Sequence, residues 1–164
     1  MLDLAEFEQA RLVVELGAGT GAYTAAVLDR LGPQAELIAF EIDSRLADGL
    51  QRTLPDPRLR VVAGSAEGLP EVLNGRRPQV VVSALPFTSL PAGVGRLILE
   101  RTARVLAPGG VLLVLQYSPL LTAELSRLFG SLTRRVSLLN VPPAFLFACR
   151  DPRPTVPAEP TAAP

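Results

Sequence analysis

The stretch Val13-Val14-Glu15-Leu16-Gly17-Ala18-Gly19-Thr20-Gly21 constrains the fold of this chain more than any other. An apolar run ends in an acid, then in three glycines at alternate positions, then in a helical pattern. That order reads as a strand, a tight turn and a helix start. Glycine at 17, 19 and 21 lets the backbone take positive φ and lets a ligand approach without meeting a Cβ. The strand end at Glu15 and the helix start near Thr20 then flank one crevice, where open α/β sheets bind ligands.

The spacing separates two kinds of ligand. Dinucleotide sites use G-x-G-x-x-G, with a pyrophosphate on the helix N-terminus. Here the glycines alternate, and an acid stands two residues before the first. A carboxylate there repels phosphate and suits a cationic, amine-bearing ligand. Glu15-x-Gly17-x-Gly19-x-Gly21 resembles the first motif of the class I S-adenosylmethionine-dependent methyltransferases, E/D-x-G-x-G-x-G, and the match is complete.

Composition bounds the rest. At 164 residues the chain is read as one domain, residues 1–150, with a tail from 151 to 164. An apolar content of 48% indicates a globular chain. Sixteen acids balance sixteen bases, all of them arginine. There is no histidine, which excludes His acid–base catalysis and His metal ligation. The single Cys149 excludes an internal disulfide and a Cys-cluster metal site. No metal is expected. Balanced charge argues against a nucleic-acid partner. No apolar run approaches ~18 residues, so no membrane span is expected. The acidic N-terminus lacks the basic start of a signal peptide, which implies a cytoplasmic protein able to sit on the inner face of a membrane.

Along the chain, a short helix is expected over 3–10, with Asp3 as its N-cap. Strands are expected at 11–16, 35–41, 58–63, 79–83 and 111–117, and helices at 20–31, 44–53, 67–74, 91–106 and 119–129. Two last strands, 132–139 and 144–150, fit a hairpin around Val141-Pro142-Pro143. The Pro/Ala/Thr-rich segment from Pro152 onward is expected to be disordered. The alternation gives an α/β fold with a parallel sheet. The methyltransferase resemblance sharpens this to a Rossmann-like fold. It implies a mostly parallel seven-stranded sheet, an antiparallel C-terminal strand and helices on both faces.

The resemblance also implies site residues. Glu41 ends the second strand, where the family's acid takes the cofactor ribose, and Asp43 is the alternative, better suited to cap the next helix. Ile42 sits between them. Ser65 stands where many relatives carry an acid that receives the adenine amino group. Its hydroxyl or a backbone group at Ala66 can take that bond, or Ser65 simply caps the short helix. The implied cofactor site is Glu15, Gly17, Ala18, Gly19, Gly21, Glu41, Ile42, Ser65, Ala66 and Ser83.

After the fourth strand, Ser83-Ala84-Leu85-Pro86-Phe87 occupies the place of the substrate-facing motif. Adenine N6-methyltransferases carry Asn or Asp at its start and an aromatic at its end. This chain keeps Leu85-Pro86-Phe87 but has Ser83-Ala84 before it. Ser83-Ala84-Leu85-Pro86, Gln116-Tyr117-Ser118 and Asn140-Val141-Pro142-Pro143-Ala144, taken together, are similar to bacterial phospholipid N-methyltransferases. Those enzymes convert phosphatidylethanolamine stepwise towards phosphatidylcholine. The resemblance implies S-adenosylmethionine as cofactor, a phospholipid at a membrane surface as substrate, and Tyr117, Phe87 and Ser83 as the catalytic set. Tyr117 is the polar or cation–π partner of the amine and Phe87 a wall; alternatively Tyr117 is a buried aromatic at a strand end. Arg134 and Arg135 can face either RNA or lipid phosphates. About ten residues precede the first strand, where relatives have a longer region with a helix over the cofactor. Ribosomal RNA adenine N6-methylation, from the likeness at Leu85-Pro86-Phe87, and a truncated, inactive cofactor-binding domain, from the short start, are the alternatives.

Overall fold

The computed structural model describes residues 1–137 and 143–154. Seven strands form one sheet in the order β3-β2-β1-β4-β5-β7-β6. They are β1 (Leu12–Leu16), β2 (Glu36–Glu41), β3 (Leu59–Ala63), β4 (Val80–Ser83), β5 (Val111–Gln116), β6 (Phe129–Ser137) and β7 (Ala144–Pro152). The first five are parallel, and β7 runs antiparallel to both β5 and β6. The helices are α1 (Ala22–Leu28), α2 (Ser44–Thr53), α3 (Leu69–Leu73), α4 (Val94–Val105) and α5 (Thr122–Leu128). This is the Rossmann-like methyltransferase architecture expected from the sequence.

Every residue of β1, β4 and β5 is buried, because helices cover both faces of the central strands. Successive residues divide between two cores. Val14, Val81 and Leu112 pack with Leu73, Leu99 and Leu125 on one face. Val13, Val80 and Leu113 pack with Val27, Leu31 and Leu50 on the other. Cys149 is buried within the first core, and burial pushes its thiol up to about 12, so it has no nucleophilic role.

Several boundaries differ from the sequence reading. The N-terminal segment forms only a 3-10 turn, Leu2–Leu4, whose N-cap is Met1 and not Asp3. Leu2, Phe7 and Ala10 are instead buried individually along the second core. Tertiary anchoring replaces a helix too short to offset its own nucleation. The helix expected from residue 119 begins as a 3-10 turn capped by Ser118 and becomes α5 only at Thr122. Strand β6 starts at Phe129, three residues early, and β7 continues to Pro152, which pairs with Phe129. Asp151 and Pro152 therefore belong to the sheet and not to the tail. The expected disorder from 155 onward, and the turn at Asn140-Val141-Pro142, lie outside the described residues.

Candidate active site

The carboxyl ends of β1, β2, β4 and β5 meet at one rim, and the loops that leave them carry the site. The glycine turn after β1 is tied to β2, since the Gly17 and Ala18 N–H groups donate to the Phe40 carbonyl at 3.0 and 2.9 Å. Gly17, Gly19 and Gly21 have φ of 79°, 56° and 89°. They differ in what surrounds them. A Cβ on Gly17 would fall 2.7 Å from Leu85 Cδ2, and one on Gly21 would fall 2.5 Å from Leu50 Cδ1. A Cβ on Gly19 would meet nothing within 4 Å. Gly17 and Gly21 permit close packing, whereas Gly19 leaves open the side from which a ligand arrives.

Glu41 closes β2 and reaches back to this turn. Its Oε2 accepts from the Gly19 N–H at 2.7 Å, and its Oε1 from the Asp43 N–H at 2.9 Å. Each oxygen keeps a lone pair for a ligand hydroxyl. Asp43 has the other role: Oδ1 caps α2 by accepting from Arg45 N at 2.8 Å and Leu46 N at 3.3 Å. Ile42, between the two acids, is 76% exposed, an apolar platform beside the carboxylate.

Glu15 is buried, and Thr24 Oγ1 donates to its Oε2 at 2.6 Å. Burial pushes the carboxyl up to about 7; the Thr24 bond opposes the rise, and the nearby Glu41 charge adds to it. Thr24 was not singled out in the sequence. The available signal was that a buried acid needs a donor, and Thr24 is the hydroxyl in the first turn of the helix that follows.

Ser65 has the capping geometry. Its Oγ accepts from Glu67 N at 3.2 Å and donates to Glu67 Oε1 at 3.1 Å. The backbone of this loop still borders the crevice, because Gly64 N donates to the Glu41 carbonyl at 2.9 Å, and Ala66 follows, buried.

After β4, Ser83 is fully buried and its Oγ accepts from Leu85 N at 3.4 Å. Phe87 was expected as a cavity wall. Its ring is instead buried in the first core beside Gly95 of α4, where a Cβ would come within 3.4 Å of it. The wall consists of Leu85 and Pro86. With Thr88, Leu115, Tyr117 and Ser118 they line a cavity of about 210 Å³. Tyr117 is 58% exposed, so the buried-aromatic alternative does not apply. Gln116 is buried and ties the two loops together, its Nε2 donating to the Leu85 carbonyl at 2.7 Å. Tyr23 of α1 was also not singled out. Burial raises its phenol, and Tyr117 raises it further, so the chain's two tyrosines stand within electrostatic reach.

Larger cavities, about 590 and 360 Å³, lie elsewhere. The first of these is bordered by Asp3, Glu6, Gln79, Gly109 and Arg150, at the amino ends of β4 and β5. That end lacks the alternating-glycine turn, so the carboxyl rim is the candidate site despite its smaller volume.

The rim suits an adenosyl, amine-bearing cofactor. The open side of Gly19, the acceptor oxygens of Glu41 and the exposed face of Ile42 lie together on this rim. The family described as methyltransferase domain matches residues 13–110. An ornithine lipid N-methyltransferase from Singulisphaera acidiphila is 34% identical over 149 residues, covering 88% of this chain and 78% of that protein. Among solved structures, the N-methyltransferase NodS from Bradyrhizobium japonicum WM9, in complex with S-adenosyl-L-homocysteine, superposes with a TM-score of 0.72 at 16% identity, over 88% of this chain and 79% of that one. An O-methyltransferase family protein from Burkholderia thailandensis gives 0.71 at 18% identity, over 92% of this chain but only 54% of the other. The chain belongs to the class I S-adenosylmethionine-dependent methyltransferases, and S-adenosylmethionine is its cofactor. Among the described residues there is no acid, histidine or cysteine cluster able to hold a metal, and no helix long and apolar enough to cross a membrane.

Proposed function

We propose that the chain transfers methyl groups from S-adenosylmethionine to the amine of a membrane lipid headgroup, phosphatidylethanolamine or an ornithine lipid. The observation that carries this reading is the lining of the cavity at the ends of β4 and β5, which contains no charged side chain. An ammonium entering it loses water and finds no carboxylate, so its pKa falls and the neutral amine, the nucleophile, is favoured. The relative's acceptor, an ornithine lipid, is also an aminolipid. The resemblance to phospholipid N-methyltransferases supports phosphatidylethanolamine.

The adenine alternative loses both of its groups. Ser83 is fully buried and faces Leu85 N, so it offers no acceptor to a base amino group. Phe87 is packed into the core and offers no stacking face.

When bound, the cofactor supplies an electrophilic methyl group on a sulfonium centre. The protein's work is positioning. Glu41 holds the glycine turn and offers acceptors to the ribose. Glu15, buried below the turn, favours a cationic neighbour over an anionic one. Leu85 and Pro86 exclude water from the acceptor, and Gln116 fixes their loop against β5. The Tyr117 ring faces the growing methylammonium, an arrangement worth about 0.5–2 kcal/mol. Mass spectrometry of lipids from a bacterial host that makes both aminolipids but methylates neither tests the reading. Methylated headgroups are expected on expression of this chain; an unchanged lipid profile counts against it.

A further inference from the structure

Five large apolar side chains are exposed among the described residues: Ile42 (76%), Leu46 (40%), Tyr117 (58%), Leu120 (77%) and Val136 (51%). Exposed apolar residues scattered singly are ordinary. These are not scattered. Ile42 and Leu46 follow the carboxyl end of β2, Tyr117 and Leu120 follow that of β5, and Val136 is the penultimate residue of β6, which runs parallel to β5. All five lie on the rim that carries the active site. Ile42 and Tyr117 belong to that site, but Leu120 and Val136 have no role there.

The register joins these two to the cavity. Gln116 pairs with Phe145, and Phe145 pairs with Val136, so the row next to Tyr117 runs across three strands, roughly 10 Å. Arg134 shares a face with Val136, and its guanidinium lies 6.0 Å from the centre of the half-buried Phe145 ring. Arg135 projects from the opposite face of the same strand end. Neither arginine makes an ion pair among the described residues. From Val111 to Arg150 there are four arginines and one acid, Glu124. That acid is already bound to Arg127 at 2.7 Å. The acids Asp3 and Glu6 border the cavity at the opposite, amino end of the sheet. At the carboxyl end of β6, exposed Val136 and the two arginines without ion pairs thus stand together beside the rim that admits substrate.

Resting on the lipid reading above, we propose that Leu120, Val136, Phe145 and Arg134, flanked by Arg135, form a docking surface for a bilayer containing anionic phospholipid. Leu120 and Val136 enter the headgroup–acyl boundary, and the arginines take lipid phosphates. This orientation presents the Tyr117 cavity to headgroups in the same membrane plane. An RNA would satisfy the arginines but not the exposed aliphatic groups.

The test is sedimentation of the full chain with two kinds of vesicle: phosphatidylethanolamine with an equal part of phosphatidylglycerol, and phosphatidylcholine alone. Label transfer to a dissolved short-chain phosphatidylethanolamine and ornithine lipid is measured in parallel. Wild type is expected to sediment with the anionic vesicles and to be released by salt. Leu120→Glu with Val136→Glu should weaken partition by about ten-fold or more. Arg134→Gln and Arg135→Gln should each weaken it by roughly five-fold. Unchanged cofactor affinity and unchanged transfer to dissolved lipid in the Leu120/Val136 variant show that its fold and site are intact. Equal partition of all variants overturns the docking surface, as does wild type remaining in the supernatant, or binding to ribosomal RNA or a second copy in preference to vesicles. Sedimentation without transfer to either dissolved lipid leaves the surface standing and removes the lipid substrate.

Discussion

The Gly19 N–H donates to Glu41 Oε2 at 2.7 Å, so the acid that ends the second strand holds the middle of the turn that ends the first. Glu41 thereby shapes the turn, and the proposed function gives it a second duty, offering acceptors to the ribose. Glu41→Ala removes both. Calorimetry with S-adenosylmethionine is expected to show affinity weakened by about 10- to 100-fold, the loss of one or two charge-assisted hydrogen bonds. Unchanged affinity would move the ribose contact elsewhere.

The roles of Gly19 and Gly21 in the turn can be separated by substitution. Gly19 has φ of 56° and open space where a Cβ would point. Gly19→Val is expected to cost about 1–2 kcal/mol of backbone strain, keep the fold and abolish cofactor binding. Gly21→Ala forces a Cβ to 2.5 Å from Leu50 Cδ1 and is expected to lower the melting temperature with about 2–4 kcal/mol lost. A folded Gly19→Val protein with wild-type affinity would remove the turn from the site.

Glu15 makes stability depend on pH with a defined sign. Its folded pKa, about 7, lies above the ordinary 4.5, so the folded state holds the proton more firmly than the unfolded chain does. The resulting stabilisation is present below about pH 4.5 and lost as pH rises to about 7, by on the order of 3 kcal/mol. In Glu15→Gln this fall should disappear from denaturant midpoints measured between pH 5 and 8, leaving the variant the more stable at pH 8. A wild-type midpoint that stays level over the same range, or that falls equally in Glu15→Gln, would show that Glu15 titrates as an ordinary carboxyl.

The strand–turn–helix at 13–21 was legible because three alternate glycines after an apolar run admit few backbones. Glu41 was legible for a related reason: the same fold puts the next strand's last residue beside that turn. What the sequence hid was side-chain direction. Nothing in Leu85-Pro86-Phe87 says that Phe87 turns into the core while Leu85 and Pro86 face the cavity. The difference arises from Gly95, on a helix that follows later, which leaves room for the ring. Thr24 and Gln116 were hidden likewise, since each is defined by a partner, Glu15 or the Leu85 carbonyl, that only the folded chain brings near. Strand ends at 129 and 152 were misjudged because antiparallel pairing between β6 and β7 continues past the point where apolar alternation stops.

Tyr117 stands exposed at the mouth of the cavity, where its ring and its hydroxyl have separable duties. Tyr117→Ala is expected to lower kcat by about 5- to 30-fold, corresponding to about 1–2 kcal/mol of cation–π contact, with cofactor affinity unchanged. Tyr117→Phe keeps the ring and should retain most of the rate. A rate in Tyr117→Phe as low as in Tyr117→Ala would transfer the role to the hydroxyl, and full activity in both would take Tyr117 out of the mechanism.

The central claim is that the methyl acceptor is a lipid amine, and label transfer from methyl-labelled S-adenosylmethionine tests it most directly. Vesicles containing phosphatidylethanolamine, vesicles containing ornithine lipid, and ribosomal RNA are offered separately to the same protein. Label is expected in at least one aminolipid and none in RNA. Label in adenine, with both lipids untouched, would contradict the account.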